Sequence, residues 1–184
     1  MNEIPPSDPF DDLARELRTG AGREWREEAE QTETETHRYR LRRRTLADLG
    51  AELLHRGDSA TVVAGDRIAS GRVEGAGTDY VTLVSDALEV DVRLDRVVLR
   101  ADRSPAGGGE QAGGSRTWLA RLREFEQTGE PVELWMPATG SSVRGRVEIV
   151  ASDHLVVVEA LEREVYVPLD AVVMVIRQRT PRRQ

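Results

Sequence analysis

The sequence predicts a mostly β protein with a helical N-terminal arm. Its body is expected to be two tandem small β-barrels, each a short helix followed by about five bent antiparallel strands. Three observations predict this. The chain carries an ordered internal duplication, each copy passes from a helical to a two-residue apolar period, and a glycine-rich stretch separates the copies.

The duplication is the firmest of the three. Gly71-Arg72-Val73-Glu74 recurs as Gly145-Arg146-Val147-Glu148, and Asp79-Tyr80-Val81 answers to Asp153-His154-Leu155. Val90, Val92, Leu94, Asp95, Val97 and Val98 answer to Val165, Val167, Leu169, Asp170, Val172 and Val173. Thr45 and Gly57 pair with Thr117 and Gly129. The offset grows from 72 through 74 to 75 along the copy. The added residues fall where Gly, Asp and Ser mark hairpin turns, where insertions are tolerated.

Residues 1–44 form the arm. Pro5, Pro6 and Pro9 predict a disordered start, and Asp11 and Asp12 suit a short helix broken at Gly20 and Gly22. From Arg23 onward the chain is helix-compatible up to the first barrel. Trp25, Ala29, Thr32, Thr36, Tyr39, Arg43 and Leu46 recur at alternating spacings of four and three, a heptad-like seam that makes Trp25 a candidate interface residue. The first barrel is expected over 45–102. Its helix has Leu46, Leu49, Leu53 and Leu54 on one face and a glycine stop at Gly57. Ala60, Val62 and Ala64, then Val81 and Leu83, then Val90, Val92 and Leu94 alternate as strands do. Gly71 lies inside a strand pattern, where glycine marks a bend. Residues 103–116 read as a flexible linker. The second barrel is expected over 117–177, with Trp118, Leu119, Leu122 and Phe125 as helix stripe and Val132, Leu134 and Met136 as first strand. Residues 178–184 are a basic tail.

The 184 residues carry a formal charge of −7, and all 26 basic side chains are arginines. The charge is segregated. Residues 37–44 hold five arginines and no acid, for +5, and 177–184 sum to +4, whereas 45–102 and 117–176 are each −5. A surface that tracks phosphates is basic, so only the arm and the tail qualify. The candidate nucleic-acid-binding residues are Arg38, Arg40, Arg42, Arg43 and Arg44 in the arm, with Arg177, Arg179, Arg182 and Arg183 in the tail.

The order of these residues resembles the Sm-like small-barrel family. The shared pattern is a short helix, Gly-x-Val, then Asp-Tyr-Val-x-Leu or Asp-His-Leu-x-Val, then Val-x-Val-x-Leu-Asp-x-Val-Val. The second copy is the closer match, with Leu122-Arg123, Pro131-Val132, Gly145 and Val172-Val173. The resemblance implies two fused barrels. It does not bring RNA-contacting residues with it, because the single Asn is at position 2 and the late loops read Arg93-Leu94-Asp95 and Pro168-Leu169-Asp170.

No catalytic constellation is evident. His37, His55 and His154 lack acids at ligand spacing, and no Gly-x-Ser-x-Gly occurs. Asp79 and Asp153 suit hairpin turns, and Asp95 and Asp170 suit caps of a one-turn helix. The absence of cysteine excludes a disulfide framework and fits a reducing cytosol. The start carries no basic-then-apolar leader and no apolar run reaches the ~20 residues of a membrane span. A cytoplasmic, non-enzymatic interaction or regulatory module is therefore expected, without cofactor, metal or small-molecule substrate. Its partner is a protein or a second copy, and nucleic acid bound by arm and tail is the alternative. Leu155-Val156-Val157-Val158 is apolar on both faces, so Val156 is expected to be covered as an interface residue.

Overall fold

The computed structural model describes residues 32–33, 35–36, 38–39, 41–102 and 115–179. Residues 1–44 and 45–184 are separate units. In the first, the described residues up to position 43 are helical. The disordered start and the seam positions Trp25 and Ala29 lie outside the described residues, as do the core of the linker and the tail beyond Arg179.

The arm helix does not run into the body as its periodicity predicts. Arg44 and Thr45 are non-helical, and Thr45 opens a new helix, α1 (Leu46–Arg56). Thr45 Oγ1 accepts from the Asp48 amide while Asp48 Oδ2 accepts from the Thr45 amide at 2.8 Å, a reciprocal cap that fixes the start. Gly57, at φ 66°, ends it. Then follow β1 (Ser59–Ala64), β2 (Arg67–Ala76), β3 (Tyr80–Val84), β4 (Leu88–Arg93), a single helical turn (Leu94–Arg96) and β5 (Val98–Asp102). The second copy repeats this with α2 (Trp118–Thr128), β6 (Pro131–Met136), β7 (Ser141–Val150), β8 (His154–Val158), β9 (Glu164–Pro168) and β10 (Met174–Gln178). Both long second strands bulge at the same place, between Val73 and Gly75 and between Val147 and Ile149.

Two closed barrels, expected from the pattern and from the Sm-like resemblance, are not what forms. All ten strands make one open antiparallel sheet in the order β5-β1-β2-β3-β4-β10-β6-β7-β8-β9. The physical reason lies at β4. Its outer edge does not return to β5 of its own copy but pairs with β10 of the other, Val175 opposite Asp91 and Arg177 opposite Glu89. Each half has the same internal order, and the halves are joined in a line. Among the described residues, β5 pairs only with β1 and β9 only with β8, so both ends of the sheet are open.

Two apolar clusters follow the copies but exchange residues. The first, around Leu53, Val62, Val81 and Val92, also takes in Trp135, Val173 and Met174 from the second copy. The second, around Leu122, Phe125, Leu134 and Leu155, takes in Tyr80 from the first. Such burial is worth about 1.5–3 kcal/mol per large side chain, so neither copy completes its core alone. Gly71 and Gly145 sit where strands press together. A Cβ on Gly71 would lie 2.6 Å from the Val84 carbonyl oxygen, and one on Gly145 would lie 2.8 Å from the Val158 carbonyl carbon.

Asp95 is not a cap. Arg93 precedes the helical turn without a side-chain cap, and Asp95 lies inside it, paired with Arg93 at 2.9 Å. Asp170 lies in a hydrogen-bonded turn rather than ahead of a helix.

Candidate interaction surfaces

The junction between the copies is built from charged residues placed on apolar strands. Asp91 on β4 is fully buried. Its carboxylate accepts from Thr82 Oγ1 at 2.6 Å, from Arg121 Nε at 3.1 Å and from Arg121 Nη2 at 3.1 Å. Thr82, opposite Asp91 on β3, is buried with it. Arg121 reaches across from α2, also meeting Glu89 at 2.9 Å and Glu124 at 2.5 Å. Burial pushes the Asp91 carboxyl up, and Arg121 and Thr82 pull against it. For Arg121, burial disfavours the charge, but Asp91 and Glu124 outweigh it and hold the guanidinium protonated. Glu124 is lowered: its burial raises it, and Ser115 and Arg121 more than compensate.

The start of α2 docks on the β2–β3 turn of the first copy. The Trp118 amide donates to Asp79 Oδ1 at 2.6 Å, and Tyr80 packs on Trp118 with ring centroids 6.2 Å apart. The Tyr80 hydroxyl donates to the Ser115 carbonyl at 2.8 Å, and burial pushes its pKa up to about 12. Trp135 Nε1 donates to the Ala64 carbonyl at 3.1 Å under the Arg67 guanidinium.

A groove of about 990 Å³ runs along this junction, floored by Leu83, Val90 and Met174. Its arginines are already paired. Arg67 meets Glu133 at 2.6 Å, Arg144 meets Glu133 at 2.8 Å, and Arg177 meets Glu130 at 3.0 Å and also Glu89. The rim is therefore charge-balanced rather than basic.

The sequence-derived candidates separate. Arg38, Arg42 and Arg43 are exposed on the arm, Arg43 lying 5.6 Å from the Tyr39 ring. Arg44 is half-buried just beyond the helix. Arg177 is engaged by Glu89 and Glu130 inside the sheet, and Arg179 is half-buried with its amide donating to the Ala87 carbonyl at 2.9 Å. Arg40, Arg182, Arg183 and Trp25 lie outside the described residues. Val156 is buried, 8 % exposed, between its strand partners Ile149 and Tyr166. His154 packs on Tyr166, 5.8 Å between centroids, and bonds Asp153 at 2.6 Å. Its place opposite Tyr80 in the repeat is an aromatic packing slot.

Asp91, Arg121, Tyr80 and Trp118 were not among those candidates. A signal for the first two exists in the duplication. Where one copy has Asp91 the other has Tyr166, and where one has Arg121 the other has Leu49. A charge that appears in only one copy of a repeat marks a place where the copies do different work.

The open ends of the sheet differ from the junction. Val98 on β5 is 59 % exposed and Tyr166 on β9 is 63 % exposed. Leu161, in the turn before β9, is almost wholly exposed and, with Glu162, takes a positive φ. No family model matches the chain, and no curated protein matches it. Among the described residues, no helix is long and apolar enough to cross a membrane.

Proposed function

We propose that this chain is a non-enzymatic interaction module that works through the open edges of its sheet, β5 and β9, with the charged arm as a second contact. The observation that carries the reading is the state of those edges. An unpaired strand presents free amides and carbonyls to any incoming chain, and edges are commonly protected by charge, proline or brevity. Here both edges are short, β5 carries Arg100 and Asp102 and β9 carries Glu164 and Pro168, yet each also displays a large apolar side chain, Val98 on β5 and Tyr166 on β9. The polar clusters elsewhere are internally paired, as the Asp91–Arg121 and Arg67–Glu133 contacts are, which fits a scaffold rather than a reacting centre.

Photo-crosslinking in the producing cell tests this. A photoreactive side chain at position 100 or 166 should give discrete products, and one at Arg123, on the exposed face of α2, should not. Absence of discrete products from both edge positions would overturn the reading. The exposure of Arg38, Arg42 and Arg43 favours a second reading, nucleic-acid binding by the arm. It requires binding at ~50 mM salt that weakens steeply by ~200 mM, and no binding at the lower salt eliminates it.

A further inference from the structure

The groove at the junction has a direction and a chemistry. Met174, Ile176 and Gln178 alternate along β10 and so share one face of the sheet. Met174 is fully buried, Ile176 is half-buried and Gln178 is exposed. The strand therefore forms a ramp of about 14 Å from floor to mouth. At the inner end Trp135, the strand partner of Met174, lies 4.4 Å from the Arg67 guanidinium, which also meets Glu133 at 2.6 Å. Those contacts tie β2 to β6 across that end. Along the ramp the surface is aliphatic, with Val90 of β4 beside Ile176 and Leu88 beside Gln178. Leu88 and Ile68 line the same groove and are 39 % and 68 % exposed, two large apolar side chains left in water at one opening.

The polar side chains on its walls are paired, with one exception. Arg67 and Arg144 share Glu133, and Arg177 holds Glu130 and Glu89. Ser70 Oγ meets Thr61 Oγ1 at 2.9 Å, and the Ser85 hydroxyl bonds the Leu88 backbone. Gln178 is the polar lining residue whose side chain has no hydrogen-bond partner among the described residues. Its carboxamide is neutral and both donates and accepts. A ligand carboxylate or ammonium would have to break one of these ion pairs to find a counter-charge, whereas a hydroxyl or an amide needs only Gln178.

We infer that this groove binds an uncharged amphiphile, a medium-length aliphatic chain ending in a hydroxyl or an amide, its chain laid along β10 toward Met174 and its polar end on Gln178. The site is separate from the sheet edges and does not depend on the reading above. Its volume of about 990 Å³ lies at the upper end of the range for small-ligand pockets, roughly 300–1,000 Å³. Such pockets are mostly apolar, with a few polar groups placed to orient the ligand. Here the charge balance of the rim selects against either sign, and the unpaired carboxamide sets which end of the ligand faces out. Both copies build the groove, Leu88 and Val90 coming from the first and Val132, Met174 and Ile176 from the second. It exists because β10 lies against the outer edge of β4. The counterpart of β4 in the second copy is β9, and among the described residues no strand lies on its outer edge, so the corresponding ramp is not built there.

The test is titration of the full chain with octanol, followed through its methyl and amide resonances. Octanol should bind saturably and shift Ile68, Leu88 and Ile176 while leaving α1 and β8 unmoved. Hexanol should bind about fifteenfold more weakly, roughly fourfold for each methylene withdrawn from the groove. Octanoate and octylammonium should each bind several-fold more weakly than octanol. Gln178→Arg, at an exposed position, puts an unpaired cation at the mouth. It should tighten octanoate about tenfold and leave octanol within about threefold of wild type. A far-UV spectrum and melting point like those of wild type establish that the variant folds. Absence of saturable shifts up to ~1 mM octanol overturns the inference. So does equal affinity for hexanol and octanol, a set of shifts confined to other parts of the chain, or octanoate bound more tightly than octanol by wild type. Octanoate binding unchanged in folded Gln178→Arg would overturn it as well.

Discussion

Replacing Arg121 with Leu should be the most damaging single change at the junction, and its cost should depend on pH in a defined direction. Asp91 is fully buried and holds three side-chain hydrogen bonds, two of them from Arg121. The substitution leaves Thr82 as the remaining donor among these, so an uncompensated buried carboxylate costs about 3–5 kcal/mol at neutral pH. Asp91→Leu leaves Arg121 with Glu89 and Glu124 and should cost less, about 1–3 kcal/mol. The double variant exchanges the pair for apolar groups and should lie within about 1 kcal/mol of wild type. The two sites are therefore coupled by at least ~2 kcal/mol, well above the ~0.5 kcal/mol scatter of independent sites. In Arg121→Leu the Asp91 pKa rises further, so the folded state takes up a proton on acidification that the unfolded state does not yet hold. The deficit should shrink as pH falls from 7 toward 5. Urea unfolding of the four proteins at both pH values measures all of this. A cost below about 1 kcal/mol, strict additivity, or a deficit that grows on acidification would refute the reasoning.

Three further outcomes are expected. Gly145→Val should destabilise by roughly 1–3 kcal/mol because its side chain meets the Val158 backbone; an unchanged urea midpoint would show that the strands can separate there freely. Tyr80, raised to about 12 from an ordinary 10, keeps its proton in the folded state, so stability is full below pH 10 and falls by about 1.4 kcal/mol per pH unit from there to pH 12. The chain has no lysine to titrate in that window, and Tyr80→Phe should flatten the slope in alkaline unfolding curves; an equal slope in both proteins would remove Tyr80 as its cause. Leu161 and Glu162 occupy two consecutive positive-φ positions of a hairpin turn that Asn-Gly fits better, so Leu161→Asn with Glu162→Gly should raise the melting point by several degrees, about 1 kcal/mol; a lower melting point would mean that the turn relaxes in solution.

Local chemistry was legible from the sequence and long-range pairing was not. Gly57 ends α1 as read, because a helix stop is decided by a few neighbouring residues. Gly71 and Gly145 mark close strand contact, again a local demand. Alternation found Val62, Val92 and Leu134 in the core. Nothing in the alternation of β4 says whether its outer edge meets β5 or β10, since either partner satisfies the same amides and carbonyls. The period-2 reading gave strands, and the inference from short bent strands to closure failed at that step. The exchange of Trp135 and Tyr80 between clusters was hidden for a related reason: an inward-facing aromatic looks the same whichever core receives it. At the arm, a heptad-like spacing continued through Arg43 to Leu46, but the Thr45–Asp48 cap is a stronger local interaction than a seam of weakly apolar residues. The Asp91–Arg121 pair was readable only by comparing the copies, and a single-strand pattern passes over it.

Amide hydrogen exchange tests the central claim most directly, that one ten-stranded sheet is joined at β4–β10 and ends in free β5 and β9 edges. The account predicts that amides on both sides of β4 and β10 are protected, while in β5 and β9 only those facing β1 and β8 are protected and the outward-facing ones exchange fast. Fast exchange in β4 and β10, or outward amides of β5 and β9 as well protected as those of the junction, would contradict it.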